Sequence, residues 1–201
     1  ECFQICRRGY TVTDNDTGAE LTIDNEYIMS PKDLCTIGFL DKIIDAGVSV
    51  LKIEGRARSA EYVKTVCECY NKALDEIEKG VYNKNLINEL TNKLATVFNR
   101  GFWDGYYLGK KLGEWSGIYG SKATKRKTYI GKSTNYFSKI GVAEFQMETG
   151  TLKKGDEVVI IGPTTGVLEM TVGEMHDDSN KSVDKVAKGM RFAIKVQSQV
   201  R

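Results

Sequence analysis

Three groups of residues in this chain have types and spacings that can do chemistry. Cys2 and Cys6 are separated by three residues, so two thiolates can reach one metal or cluster, and Cys35, placed after the turn at Pro31, is the natural third. The competing reading is that each is a small apolar side chain buried in a core. Glu54, Arg56 and Arg58 close the stretch Val48-Ser-Val-Leu-Lys-Ile-Glu-Gly-Arg-Ala-Arg58 and form either a catalytic set or a surface ion-pair set. Arg100 lies within Asn99-Arg-Gly-Phe-Trp-Asp-Gly-Tyr-Tyr-Leu-Gly109, where guanidinium and rings can stack on bases or hold an anion, or else plug two domains together. Lys122, Lys125, Arg126, Lys127, Lys132 and Lys139 follow with no acidic residue between positions 120 and 142. That run suits a phosphate backbone or an ordinary solvated linker.

The elements that must position these residues can be read from pattern. Residues 11–28 look like a hairpin, with turn chemistry in Asp14-Asn-Asp-Thr-Gly18. Pro31 forces Ser30 into an extended conformation, and the apolar segment 39–46 reads as a helix stopped at Gly47. Val48, Val50, Leu51 and Ile53 make a nearly continuous apolar run that predicts a parallel strand covered on both faces. Its C-terminal end, where α/β folds place their chemistry, carries Glu54, Arg56 and Arg58, which are therefore expected to line a cavity.

Ser59 is expected to cap a helix over residues 60–79 whose core stripe is Ala60, Val63, Cys67, Tyr70, Leu74 and Ile77. Cys67 then belongs to the core, and Cys69, about 200° further round, does not share its face. A second helix is predicted over residues 86–98. After about Arg126 the pattern becomes short apolar runs between glycines, and six or so strands at this spacing predict a closed barrel. His176, the one histidine, is assigned to a polar turn with Asp177 and Asp178.

With 201 residues, 41% apolar and 28% charged, the chain can bury one or two ordinary cores. A net charge of +2 argues for no partner by itself. No stretch approaches the roughly 18 apolar residues of a membrane span and the start has no secretory pattern, so the chain reads as cytoplasmic, with its five cysteines reduced or metal-bound. Starting at Glu1 without a methionine, it reads as a fragment.

Cys2-Phe-Gln-Ile-Cys-Arg-Arg-Gly-Tyr10, Ser30-Pro-Lys-Asp-Leu-Cys35, the stretch from Ala46 to Val63, and Phe98-Asn-Arg-Gly-Phe102 closely resemble the collagenase-like peptidases of peptidase family U32. The last seventy residues, with Leu152-Lys-Lys-Gly-Asp-Glu-Val-Val-Ile-Ile-Gly162, look like the β-barrel that forms the second domain of translational GTPases. The resemblance implies an α/β plus all-β chain. Residues 1–110 would be the closing portion of a TIM-type barrel domain, 111–126 a basic connector, and 127–201 the C-terminal barrel. It also implies that Cys2, Cys6 and Cys35 fall on or beside ligands of an iron–sulfur cluster, with further ligands upstream.

Relatives of this kind work in prephenate-dependent hydroxylation of a pyrimidine in tRNA or rRNA, or in ubiquinone hydroxylation, while the family name records proteolysis. The chain has no Gly-x-Ser-x-Gly and no His-Glu-x-x-His, which counts against a peptidase site in these residues. The expectation is therefore RNA modification by the intact protein, with Arg7, Arg8, Arg56 and Arg58 available to a dicarboxylate such as prephenate. Arg100, Lys122, Lys125, Arg126 and Lys127 would be available to RNA. A peptidase with catalytic residues upstream, and a binding module without catalysis, are the alternatives.

Overall fold

The turn at residues 14–18 closes the first element pair. The Asp14 carboxylate accepts hydrogen bonds from the Thr17 N–H and hydroxyl, both at 2.7 Å, and strands β1 (Tyr10–Thr13) and β2 (Glu20–Ile23) pair antiparallel from Tyr10↔Ile23 to Thr13↔Glu20. The computed structural model describes residues 5, 8–23 and 29–200, in two compact units, 1–125 and 126–201. Among the described residues no helix is long and apolar enough to cross a membrane.

The first unit continues with β3 (Asp33–Leu34), a 3-10 turn (Ile37–Phe39), α1 (Leu40–Asp45), α2 (Ala60–Glu78), α3 (Lys84–Leu94) and β4 (Phe102–Trp103). Gly47 and Gly80 follow α1 and α2 with φ of 88° and 71°, a left-handed conformation that glycine adopts without a Cβ clash. Asn83 begins α3 by accepting from the N–H groups of Asn85 and Leu86. Ser59 occupies the cap position of α2, but its hydroxyl donates to the Glu61 carboxylate rather than to the backbone of the first turn.

Two expectations fail in this unit. Residues 48–53 form no strand: Val50 is 82% exposed, and only Leu51 and Ile53 reach the core. The segment is extended with one face covered. A strand exists only by hydrogen bonding to a neighbouring strand, and among the described residues none pairs with it. The parallel pair that does form is β3 with β4, in register Asp33↔Phe102 and Leu34↔Trp103.

The face of α2 is also rotated from the predicted stripe. Thr65, Val66, Cys69 and Ala73 are its buried residues, while Val63 is exposed and Cys67 only half-buried. The cause is α3, which docks through Leu90 and Leu94 and is flanked by the ion pairs Lys72–Glu89 (2.6 Å) and Lys93–Glu68 (2.8 Å). Tyr70, Leu74 and Ile77 remain partly buried, so the apolar arc of α2 is wider than one stripe and α3 selects its centre.

The second unit is antiparallel throughout. Its strands are β5 (Gly131–Phe137), β6 (Val142–Met147), β7 (Thr151–Lys153), β8 (Glu157–Gly162), β9 (Gly166–Thr171), β10 (Met175–His176), β11 (Ser182–Val183), β12 (Lys185–Ala187) and β13 (Arg191–Lys195). They form a five-stranded sheet in the order β11-β10-β13-β6-β5 and two pairs, β12-β7 and β8-β9. One core fills the space between them, with Met147, Met175 and Val186 fully buried and Phe145 stacked on its cross-strand partner Phe192 at 5.5 Å. The strands number nine rather than about six and fall in three sheets, because two- and three-residue strands break the ladder around the core. His176 is in β10, opposite Ser182 and Ala193, not in the following turn.

Burial of Cys69 has a pH consequence. Desolvation pushes its thiol from 9.0 up to about 11, because the interior disfavours the thiolate. The folded protein thus holds a proton that the unfolded chain releases, so this contribution to stability is intact below pH 9 and is lost as the pH rises toward 11. Urea unfolding at pH 8, 9 and 10 should show stability falling with pH, and Cys69→Ala should lower stability at pH 8 yet flatten the fall by up to one proton's worth of slope. The buried hydroxyl of Tyr82, pushed up to about 12, acts in the same direction at higher pH in both proteins.

Candidate functional site

The pairing of β3 with β4 brings the site together. Asp33 donates its N–H to the Gly101 carbonyl and Cys35 donates to the Trp103 carbonyl, both at 2.9 Å, so the Asp33 side chain is carried to the start of β4. One carboxylate oxygen of Asp33 then accepts from the Arg100 N–H at 2.8 Å, and the other lies 3.5 Å from Nη2 of Arg58. The Arg58 guanidinium sits 4.2 Å from the centre of the Phe98 ring and 5.5 Å from that of Tyr62. It is therefore paired with a carboxylate while lying against two rings, contacts that a planar guanidinium makes more readily than a compact ammonium.

A local turn delivers Arg58. Its N–H bonds to the Gly55 carbonyl at 3.0 Å, and Ala57 takes a φ of 56°, a region in which a residue with a Cβ is uncommon. Burial pushes the Tyr62 hydroxyl up, opposed by the positive charge of Arg58. One residue beyond Cys35, the Thr36 N–H and hydroxyl lie 3.1 and 3.0 Å from the Tyr70 hydroxyl.

Glu54, Arg56 and Arg58 part company. Arg58 turns inward to Asp33, whereas Glu54 and Arg56 stay exposed, with Glu54 accepting from the N–H of Arg56 at 2.6 Å. Arg100 joins Asp33 through its backbone. Lys122, bonded through its N–H to the Asn99 carbonyl at 2.7 Å, is exposed, as are Lys125 at the end of the first unit and Arg126 and Lys127 at the start of the second. Asp33, Tyr62 and Phe98 were not singled out by sequence reasoning. Asp33 and Phe98 stand within Ser30-Pro-Lys-Asp-Leu-Cys35 and Phe98-Asn-Arg-Gly-Phe102, where Cys35 and Arg100 carry the more evident chemistry.

Cys2, Cys6 and Arg7 lie outside the described residues. Cys35 is half-buried, and desolvation pushes its thiol up, away from the thiolate that ligation requires. Among the described residues no three His, Cys, Asp or Glu side chains converge as a metal site. The described residues thus supply one candidate sulfur, which by itself does not fit a cluster.

Replacing the shared carboxylate should be the costly change. Asp33→Ala leaves a guanidinium between two rings without its counter-ion and an N–H without its acceptor, with an expected loss of about 1–3 kcal/mol. Glu54→Ala and Arg56→Ala, both at exposed positions, should each stay within about 0.5 kcal/mol. Urea unfolding of the three variants checks the contrast, and Arg58→Lys should fall on the Asp33 side of it.

Comparison with known proteins gives this geometry a context. The chain is 58% identical over 200 residues to a protein named collagenase from Porphyromonas gingivalis, covering 100% of this chain and 48% of that protein. It is 31% identical over 189 residues to tRNA hydroxylation protein P1 of Bacillus subtilis, covering 91% of this chain and 44% of that one. An 82-residue stretch is 39% identical to the 23S rRNA 5-hydroxycytidine C2501 synthase of Escherichia coli, covering 40% of this chain and 12% of that one. The chain spans about half the length of the curated relatives named collagenase. The sequence model of peptidase family U32 matches residues 1–117, and the chain belongs to that family.

Proposed function

We propose that the whole protein acts on RNA, hydroxylating a pyrimidine. The observation that carries this reading is the ring-bearing basic segment between residues 100 and 127, most of whose cations and rings are exposed. It holds seven Lys and Arg (Arg100, Lys110, Lys111, Lys122, Lys125, Arg126, Lys127) against two acids (Asp104, Glu114), interleaved with Trp103, Tyr106, Tyr107, Trp115 and Tyr119. Cations supply sequence-independent attraction to phosphate and rings supply stacking for unpaired bases. Relatives named for tRNA and rRNA hydroxylation support the same direction. Exposed Arg56 is available to a carboxylate-bearing co-substrate such as prephenate, while Arg58 is held by Asp33 and Phe98.

The first unit is read as the closing part of a TIM-type barrel, supported by the parallel pairing of β3 and β4 across three intervening helices, and the second as a barrel like the second domain of translational GTPases. A collagenase is the second reading, favoured by the 58% identity to proteins that carry that name. Nucleoside mass spectrometry of RNA from a gene-deletion strain should show the loss of a hydroxylated pyrimidine. An unchanged nucleoside profile, together with gelatin cleavage by the pure full-length protein, would reverse the order of the two readings.

Cys2, Cys6 and Cys35 are proposed to be ligands of an iron–sulfur cluster completed by residues outside this chain. Full-length protein purified without oxygen should then be brown and contain iron and sulfide, with Cys35→Ala lowering both and Cys67→Ala leaving them unchanged.

A further inference from the structure

Residues 114–116 run antiparallel to residues 30–32. The Lys32 N–H donates to the Glu114 carbonyl at 2.9 Å, the Ser116 N–H donates to the Ser30 carbonyl at 2.8 Å, and Pro31 pairs with Trp115 between them. Strand alternation then turns Ser116 inward, where it is buried, and leaves Trp115 44% exposed. Tyr106, 61% exposed, meets Trp115 over Gly113: a Cβ on that glycine would lie 3.0 Å from Cη2 of Trp115 and 3.1 Å from the Tyr106 hydroxyl oxygen. The other side of Tyr106 rests edge-on against Trp103 at 5.2 Å. These rings are fixed by backbone pairing and by a missing side chain, yet they face solvent.

Cations gather beside them. Lys32 and Lys110 both reach the Glu114 carboxylate, and Lys110 also pairs with Asp104 at 2.8 Å. Across Gly101 a second lysine joins Lys32: a Cβ there would lie 3.6 Å from Nζ of Lys122 and 3.6 Å from Cδ of Lys32. Exposed rings alone would suit any apolar partner, a proline-rich peptide included. Rings bordered by converging lysines suit a polyanion whose bases are unstacked, because every base offers a π-face and every nucleotide a phosphate.

We propose that Trp115 and Tyr106, with Lys32 and Lys122, form a binding site for single-stranded RNA, one unpaired base resting on the rings and its phosphate on the lysines. The site rests on the RNA-directed reading of the whole protein and specifies which part of the surface holds the strand.

The test uses the full-length protein and a fluorescently labelled uridine dodecamer, read by anisotropy. Trp115→Ala should weaken binding about tenfold or more, and Trp115→Phe should bring it back to within about threefold of the parent. Lys122→Met should weaken binding and lower the salt slope by about one. With Trp103 and every tryptophan outside this chain replaced by Phe, acrylamide should quench Trp115, and RNA should protect it. Three results would each overturn the site: dodecamer affinity within twofold of the parent in a Trp115→Ala protein with unchanged circular dichroism, Trp115 shielded from acrylamide before RNA is added, or a loss of affinity for a proline-rich peptide without one for RNA. A hydroxylated nucleoside lost on gene deletion while Trp115→Ala binds normally would remove this site and leave the hydroxylation reading standing. The converse pair of results would keep an RNA-binding surface and remove the hydroxylation.

Discussion

A single carboxylate holds three distant segments of the first unit. Asp33 comes from β3, Arg58 from the turn before α2, and Arg100 from the approach to β4, and one oxygen serves each of the latter two. The parallel pair β3–β4 is two residues long, too short to be secured by its own ladder, so the bond from the Arg100 N–H to Asp33 extends it by one step. Without that carboxylate the guanidinium between Phe98 and Tyr62 would be a poorly solvated charge, which costs more than the pair itself contributes. The elements that carry Glu54, Arg56 and Cys35 are hung on this arrangement, because each lies within a few residues of Arg58 or Asp33.

Much of the local structure was legible in the sequence. Gly47, Gly80 and the turn at 14–18 act through backbone preferences that are properties of the residues themselves, and each does what its type demands. The last seventy residues read as short β-strands because their short apolar runs and glycines leave little else. What was not legible depends on partners far along the chain. An arginine after an apolar run looks the same whether it faces a ligand or a carboxylate 25 residues upstream, so the sequence alone places Arg58 at a cavity where the structure pairs it with Asp33. The two apolar arcs of α2 differ by about one residue's rotation, and the docking of α3, which spacing does not encode, places Cys69 rather than Cys67 at the centre.

The second unit shows the same division. Phe145 and Phe192 are recognisable as strand residues, but their stacking requires the register of β6 with β13, set across 47 positions of chain. Likewise His176 sits among turn-forming residues yet is drawn into β10 by pairing with β13. Short strands supply few bonds each, so this unit depends more on its shared apolar core than on any continuous ladder.

The segment beyond Trp115 sets where the polypeptide can be divided. The family's sequence model stops at residue 117, but the N–H of buried Asn99 donates to the Ser121 hydroxyl, its carbonyl accepts from Lys122, and the Ala95 carbonyl accepts from Thr124. A polypeptide ended at residue 117 would strip both main-chain groups of Asn99 in an otherwise closed corner, at about 1–3 kcal/mol for each group left unsatisfied. The end of the first unit therefore lies some eight residues past the end of the family model, and a polypeptide cut at that model's limit would end inside it.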